Sequence, residues 1–216
     1  MTDIWSARAA AYRDSATHAG GDDLDLVVAW CEPAPGVTAL DVATGGGHVA
    51  RRLRESGAQV VTVDAAPGMQ PDVIAPADHL PFADASFDVV ACRIAAHHFP
   101  DALAALREMA RVARHRVVIC DNVFVSEVSE EADRLRDPSH VRNYGAAEWH
   151  SFFQLAGLEV ADEAFIVRDT DFEDWLARTE TPEADRVQVR ELLGDRVRDG
   201  RLELPTVVLK GTKADA

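Results

Sequence analysis

Short apolar runs alternate with amphipathic stretches along much of the chain. Apolar runs of strand length predict buried strands, and apolar residues that recur every three or four positions predict helices. The predicted elements are a strand at 37–42, a helix at 48–56, a strand at 59–64, a strand at 87–92, a helix at 101–113 and a strand at 116–121. This rhythm predicts an α/β fold, a doubly wound and mostly parallel sheet with helices on both faces.

The two ends of the chain are less regular. A helix over 4–16 would place Trp5, Ala9 and Tyr12 on one side, outside the strand–helix rhythm, so we expect a helical N-terminal cap. The elements predicted after residue 121 are a helix at 146–156, a strand at 160–167, a short helix at 172–178, a charged helix at 183–198 and a final strand at 204–212.

Composition excludes several classes of function. The 216 residues are 47% hydrophobic and 27% charged, which is typical of one globular domain. The net charge of −15, without a basic cluster, argues against nucleic acid or an anionic membrane as a partner. No signal peptide or membrane span is visible, so we expect a cytoplasmic protein. Cys31, Cys92 and Cys120 lie far apart in apolar contexts, so we expect reduced core residues and no metal site.

A glycine-rich turn follows the first predicted strand in TALDVATGGGHVARRL, residues 38–53. Gly45, Gly47 and Ala50 match G-x-G-x-x-[GA], and Asp64 ends the next predicted strand 17 residues after Gly47. Glycine lets the backbone turn and approach a ligand, the following helix offers free N–H groups, and a carboxylate accepts hydrogen bonds from ribose hydroxyls. The arrangement serves NAD, FAD and S-adenosylmethionine alike.

Asp41 favours one of these cofactors, because it lies inside the first predicted strand, four residues before Gly45. A carboxylate at the floor of the pocket repels a pyrophosphate and attracts an α-ammonium group. A nucleoside that carries an amino acid is therefore favoured over a dinucleotide. Two alternatives stay open: an NAD-dependent oxidoreductase with the same glycine turn, and an aspartate bonded only to loop amides.

Four ordered motifs carry a family resemblance: LDVATGGG, VVTVDAAPGM, ADHLPFADASFDVVACRIAAHHFPD and LREMARV. They resemble the class I S-adenosylmethionine-dependent methyltransferases, specifically the UbiE-like small-molecule group. The resemblance is close over 37–121, and 137–158 looks like the insert and following helix of that group. It implies a Rossmann-like sheet of seven strands with an antiparallel last strand. We expect a single domain, 1–216, with cap helices in 1–30 and an insert at 122–150 over the active site.

The resemblance implies S-adenosyl-L-methionine as the cofactor and assigns residues to it. Asp41, Ala43, Gly45 and Gly47 would surround its methionine part, and Asp64 would hold the ribose hydroxyls. The adenine contacts would be Ala65, Met69, Ala77 and Asp78. The sequence departs from the family pattern here, since Pro76 replaces an acid and more than ten residues are missing before it. We therefore expect an open adenine side.

The methyl acceptor is predicted to be a small, partly apolar molecule, methylated on carbon, oxygen or nitrogen. In-line placement supplies much of the rate of such a transfer, so an essential catalytic residue is not required. His97 and His98 follow the fourth predicted strand and are the candidate bases, with backbone-bonded core histidines as the alternative. The other candidates are Arg93, for cofactor carboxylate or acceptor, and, on the acceptor side, Tyr12, His18, His140, Arg142 and Tyr144. A catalytically silent S-adenosylmethionine-binding protein is a further alternative, and the sequence defines no oligomeric state.

Overall fold

The computed structural model describes residues 4–213, which form one twisted sheet with helices on both faces. The strands are β1 (Thr38–Val42), β2 (Gln59–Asp64), β3 (Val73–Ile74), β4 (Phe87–Arg93), β5 (Ala113–Asn122), β6 (Glu159–Asp171), β7 (Val197–Arg198) and β8 (Arg201–Thr212). Their order is β3-β2-β1-β4-β5-β8-β6, and β7 pairs only with β8. The first five strands are parallel and β8 is antiparallel to both neighbours, which confirms the predicted fold class.

Helices cover both faces of this sheet. They are α1 (Ile4–Arg13), α2 (Ala16–Ala19), α3 (Asp22–Cys31), α4 (His48–Glu55), α5 (Ala102–Val112), α6 (Glu127–Arg136), α7 (Ala146–Leu155), α8 (Phe172–Ala177) and α9 (Glu183–Leu193). In β1, Ala39 faces the α3 and α4 layer, whereas Leu40 and Val42 face the α5 and α7 layer. This alternation is the period of two that a strand imposes on its side chains. Among the described residues, no helix has the length and apolar character needed to cross a membrane.

The predicted helix at 183–198 is wrong at its C-terminal end. The helix ends at Leu193 because Gly194 adopts a positive φ of 48°, and the chain then forms β7. Asp199 and Gly200 both lie in the left-handed region, with φ of 51° and 74°, and connect β7 to β8. An Asp-Gly pair is a strong signal for a two-residue hairpin turn, and the prediction overlooked it. The hairpin also starts β8 three residues before the predicted final strand at 204–212.

The helices of the second half form a separate apolar cluster beside the sheet. It is made by residues of α6, α8, α9 and β8, namely Ala132, Phe172, Trp175, Leu176, Val189, Leu193 and Leu202. Each helix hides its apolar side there, while the charged side of α9 faces solvent. This cluster fixes α6 and the segment after α8 beside the carboxyl end of the sheet.

The first two helices lie over the carboxyl edge, whereas α3 belongs to the core below. Tyr12 fastens this cap to the glycine loop, since its carbonyl oxygen lies 2.9 Å from Nε2 of His48. Ser6 fastens it to the turn after β2, because its hydroxyl accepts from the Gly68 N–H at 2.7 Å. Arg8 pairs with Asp137 at 3.1 Å and so joins the cap to the segment after α6.

Gly46→Ala tests whether the cap depends on close approach to the glycine loop. A Cβ at Gly46 would lie 2.6 Å from the Tyr12 carbonyl oxygen and 2.7 Å from Nε2 of His48. We expect a loss of about 1–3 kcal/mol in the free energy of unfolding, as for other overpacked sites, and faster tryptic cleavage after Arg13. Gly20→Ala is the control, because nothing lies within 4 Å of its Cβ position. Equal stability and cleavage of the two variants would contradict this role for Gly46.

Candidate active site

A cavity of about 320 Å³ opens at the carboxyl ends of β1, β2 and β4, under the cap. The strand order reverses between β1 and β4, and ligands of open α/β sheets bind at such switch points. The volume lies within the roughly 300–1,000 Å³ range of small-ligand sites. The lining includes residues of the cap (Trp5, Tyr12, His18), of β1 and the loop after it (Asp41, Ala43, Thr44, Gly45, His48), of the β2 and β3 ends (Asp64, Ala65, Met69, Ala77, Asp78) and of β4 and the segment after it (Arg93, Ile94, His98, Phe99, Pro100, Asp101).

Each of the three glycines in the loop is needed for a different structural reason. Gly45 and Gly47 have positive φ of 51° and 75°, which glycine adopts without steric cost. Gly45 lines the cavity, whereas Gly47 is the N-cap of α4 and shapes the turn from outside the lining. Gly46 is needed because the cap backbone passes close to it, a reason that local sequence does not reveal.

Asp41 is 2% exposed and lines the floor of the cavity. Its Oδ2 accepts hydrogen bonds from the Thr44 hydroxyl at 2.6 Å and from the Ala50 N–H at 3.1 Å. Burial outweighs these bonds and raises the pKa of Asp41 to about 6. The carboxylate therefore holds the loop in place, and a cation beside it would stabilise its charged form.

Asp64 lies at the end of β2, with each carboxylate oxygen bonded to a backbone amide. Oδ2 accepts from the Gly45 N–H and Oδ1 from the Ala66 N–H, both at 2.9 Å. Its side chain is thus fixed between the glycine loop and the turn after β2. A carboxylate held this way can accept further hydrogen bonds from a diol on its cavity side.

The adenine side is short and open. The chain passes from β2 to the two-residue β3 through a 3-10 turn at Pro67–Met69, with no α-helix between residues 65 and 72. Ala65 and Asp78 line the cavity but are exposed, Ala77 is half-buried, and Met69 is buried against the cap. The four residues predicted for adenine contacts therefore form one wall with an open rim.

The β4 end contributes a charged side chain and a strained backbone. Arg93 donates through Nε to Asp23 at 2.7 Å and through Nη1 to the His18 carbonyl at 2.9 Å. Ile94 has a φ of 53°, an outlier for a β-branched residue, and Ala43 has a φ of 52° at the neighbouring strand end. Strain of this kind costs about 1–3 kcal/mol per residue and clusters at functional sites.

The two adjacent histidines occupy different environments. His97 is buried and absent from the cavity lining, and its Nδ1 lies 2.6 Å from Oδ1 of Asp121. His98 lines the cavity, with its ring 4.0 Å from that of His97 and 4.6 Å from that of Trp5. Burial, followed by the neighbouring His97, lowers the pKa of His98 well below its ordinary value. His98 is thus a neutral imidazole at the cavity surface.

The segment after α6 supports the histidines from behind and contributes no lining residue. His140 is buried, with Nε2 2.9 Å from Oε2 of Glu130. Arg142 is exposed and pairs with Glu148 at 2.7 Å. Tyr144 is buried against Trp149 and the neighbouring aromatic residues of α7. The structure therefore does not bring these three predicted acceptor residues into the cavity wall.

The predicted cap residues do reach the wall. Tyr12 and His18 line the cavity with their rings 5.4 Å apart, and Trp5 lies 5.6 Å from Tyr12. Four further residues of the site, Trp5, Thr44, His48 and Asp121, are not among those predicted from the sequence pattern. Thr44 and His48 flank the glycines, so the glycine motif could have predicted them. The contact of Asp121 with His97 depends on the pairing of β4 and β5, which no local motif predicts.

Known proteins share this fold and loop. A family model described as a methyltransferase domain matches residues 40–120. YcgJ of Bacillus subtilis, named as an uncharacterized methyltransferase, is 33% identical over 204 residues, which cover 84% of this chain and 80% of YcgJ. The crystal structure of YcgJ superimposes with a TM-score of 0.80 and 27% identity, over 90% of this chain and 99% of that one. The chain belongs to the methyltransferase family.

Two further relatives of this methyltransferase agree with that assignment. A crystal structure of a putative methyltransferase from Bacillus halodurans superimposes with a TM-score of 0.80 at 25% identity, over 90% of this chain and all of that one. The demethylmenaquinone methyltransferase of Mycolicibacterium paratuberculosis is 40% identical over 97 residues, which cover 40% of this chain and 42% of that protein. The latter agrees with the predicted UbiE-like group over that share of the chain.

The cofactor of this methyltransferase is S-adenosylmethionine, and the donor set of the cavity fits it. Asp41 is a buried carboxylate on the floor, and Asp64 is fixed at the next strand end. A diphosphate over the loop would face both carboxylates, which argues on charge against NAD. Family membership and charge together remove the NAD-dependent oxidoreductase alternative.

Asp41→Asn tests whether the charge of the Asp41 carboxylate serves to bind a ligand and not to stabilise the fold. Because the folded pKa of about 6 exceeds the unfolded value, the charged carboxylate opposes folding above pH 6. We expect the ligand-free variant to gain about 1–3 kcal/mol in the free energy of unfolding at pH 7.5, a gain that fades as the pH falls from 6 to 4. S-adenosylhomocysteine should bind at least tenfold more weakly.

Asp88→Asn is the matched control with the opposite sign. Asp88 lies at the far end of β4, and hydrogen bonds from Thr38 lower the pKa of its carboxyl group. We expect this variant to lose stability at pH 7.5 and to keep its affinity for S-adenosylhomocysteine in calorimetry. An Asp41→Asn variant that behaved in the same way would limit Asp41 to holding the loop.

Proposed function

We propose that this methyltransferase moves a methyl group from S-adenosylmethionine, by in-line transfer, to a small and partly apolar molecule whose acceptor atom loses a proton to His98. The observation that carries the proposal is the state of His98, a neutral imidazole on the cavity wall. The net charge of −15 supports a small molecule as the acceptor rather than a nucleic acid.

The tautomer of His98 follows from its neighbours. Nδ1 lies 3.2 Å from the carbonyl oxygen and 3.2 Å from the hydroxyl of Ser139. That hydroxyl donates to Asp137 at 2.7 Å, and a carbonyl oxygen only accepts, so Nδ1 carries the hydrogen. Nε2 of His98 therefore keeps the lone pair that a base requires.

The acceptor side of the cavity is largely apolar. Trp5, Ile94, Phe99 and Pro100 line the cavity together with His98, and Asp101 is the charged lining residue of the same segment. Aromatic and aliphatic surface of this kind selects an acceptor with an apolar body and orients its reactive group. Trp5 and Tyr12 also offer ring faces that attract a cation such as a sulfonium.

The protein's share of the reaction is then binding, orientation and removal of one proton. When bound, S-adenosylmethionine would supply the methyl group on its sulfonium, and the neutral thioether S-adenosylhomocysteine would be the leaving group. Asp41 holds the ammonium end and Asp64 the ribose hydroxyls in the proposed pose. Nε2 of His98 takes the proton of an O–H, N–H or acidic C–H group, and the cap keeps water out of the cavity.

His98→Gln tests the base, after an acceptor has been found by screening phenols, amines and carbon acids with methyl-labelled S-adenosylmethionine. Glutamine keeps polarity but cannot take the proton, so we expect kcat to fall about 100-fold or more, the usual scale of general base catalysis. The dissociation constant of S-adenosylhomocysteine should stay within twofold. Because the pKa of His98 is lowered, kcat of the wild type should persist below pH 6.5.

His150→Gln is the control, since His150 is exposed and pairs with Glu163 at 3.0 Å, away from the cavity. It should leave both kcat and the affinity for S-adenosylhomocysteine unchanged. Equal turnover of His98→Gln and wild type would remove the base from the proposal. Binding of S-adenosylhomocysteine with no labelled product from any acceptor would favour the silent binding protein.

A further inference from the structure

Four arginines converge behind the cap of this acidic protein. Arg178 follows α8, Arg168 lies on β6, Arg136 ends α6 and Arg93 ends β4. Arg178, Arg168 and Arg93 are the positive charges that act most strongly on His18, and Arg136 and Arg178 do the same for Tyr12. Since His18 and Tyr12 line the cavity, the guanidinium groups lie behind its cap end, and of the four arginines Arg93 is itself a lining residue.

Three of these arginines lack a carboxylate partner within residues 4–213. Arg168 donates to the Thr206 hydroxyl at 2.9 Å, and Arg136 donates to the Trp175 carbonyl at 3.0 Å. Arg178 reaches the Thr170 hydroxyl only at 3.5 Å. Burial is the largest cause that lowers the pKa of all three arginines, and neighbouring arginines lower it further. The pKa of Arg178 falls to about 10.

The acids nearby each have a partner already, although Oδ2 of Asp137 has none among the described residues. Asp23 accepts from Arg93 at 2.7 Å, Asp137 pairs with Arg8, and Asp121 lies 2.6 Å from His97. Two N–H groups of these arginines, Nη2 of Arg93 and Nε of Arg178, are buried without an acceptor among the described residues. Buried donors without partners are costly, so an anion brought close to them would be favoured.

His18 supplies a further donor beside Arg93. Its Nδ1 lies 2.8 Å from the Ser15 hydroxyl and 3.4 Å from Nη1 of Arg178. A guanidinium only donates, so Nδ1 accepts and the hydrogen lies on Nε2. Burial, followed by the charges of Arg178, Arg168 and Arg93, lowers the pKa of His18 and keeps this ring neutral. Both His18 and Arg93 line the cavity.

We infer that the methyl acceptor carries a carboxylate group, bound by Nε2 of His18 at the cavity wall, with Arg93, Arg178 and Arg168 supplying the positive potential behind it. One carboxylate beside His18 is attracted by arginines of which Arg178 and Arg168 have no carboxylate partner among the described residues. The inference rests on the proposed function, because it names the chemical class of that acceptor. The carboxylate of the cofactor has the same chemistry, so the experiment distinguishes the two sources.

The test uses sodium acetate and acetamide, probes of nearly the same shape and different charge. Protein with ¹⁵N-labelled arginine, saturated with S-adenosylhomocysteine, is titrated at constant ionic strength, and the Nε–H signals of Arg93 and Arg178 are followed by NMR. We expect saturable shifts with acetate at an affinity at least tenfold higher than with acetamide. Arg178→Gln should weaken acetate binding at least fivefold, and Arg178→Lys, which keeps the charge, should stay within threefold of the wild type.

Arg190→Gln is the matched control, because Arg190 is an exposed arginine that pairs with Glu173 at 2.6 Å. It should leave acetate binding unchanged. The dissociation constant of S-adenosylhomocysteine, measured on every variant, verifies that the cofactor site is folded. A failure of acetate binding with normal cofactor binding therefore counts against the carboxylate acceptor alone and leaves the proposed methyl transfer standing.

Three results would overturn the inference. The first is equal affinity for acetate and acetamide, and the second is an Arg178→Gln variant that binds acetate like the wild type. The third comes from replacing S-adenosylhomocysteine by 5′-methylthioadenosine, which lacks the amino acid. If acetate binds only with methylthioadenosine, the cofactor's own carboxylate occupies the arginines, and the acceptor need not be an anion.

Discussion

Two aspartates bonded to backbone amides hold the glycine loop at the ends of adjacent strands. Asp41 accepts from the Ala50 N–H, and Asp64 accepts from the Gly45 N–H. These bonds fix where the loop turns, and the loop in turn positions His48, which fastens the cap. Cofactor pocket and cap therefore depend on the same few hydrogen bonds, so a change at the loop reaches the acceptor side through the cap.

Charge is divided between the two ends of the cavity. The carboxylates of Asp41 and Asp64 line the cavity at the ends of β1 and β2, whereas Arg93 on the wall and Arg178 behind it contact His18 of the cap. A zwitterionic or sulfonium ligand at the acidic end and an anion at the basic end each meet a complementary potential. In a site shielded from water such potentials act at low dielectric, so they orient ligands more strongly than surface charges would.

The parts of the site that the sequence predicts are those built from one strand and the turn after it. Asp41, Gly45 and Asp64 follow from the hydrophobic run, the glycine pattern and the acid at the next strand end, because strand ends in a parallel sheet meet at one edge. His140 lies outside the wall because its ring turns toward Glu130 on α6, a contact that no local pattern encodes. Arg178 escaped notice for the same reason, since 160 residues separate it from His18.

The pKa values of the groups that distinguish this site are all shifted toward the neutral form in the ligand-free protein. Burial raises the pKa of Asp41 to about 6, lowers those of His98 and His18, and lowers that of Arg178 to about 10. Each shift means that folding opposes the charged form, so the charged residues here reduce stability instead of contributing to it. Opposite charges brought by ligands reverse that cost, and the reversal adds to affinity. The free energy that these groups cost in folding is recovered when a charged ligand binds. Less polar residues would make a more stable protein, but they would not contribute this binding energy, which explains why the charged residues would be retained.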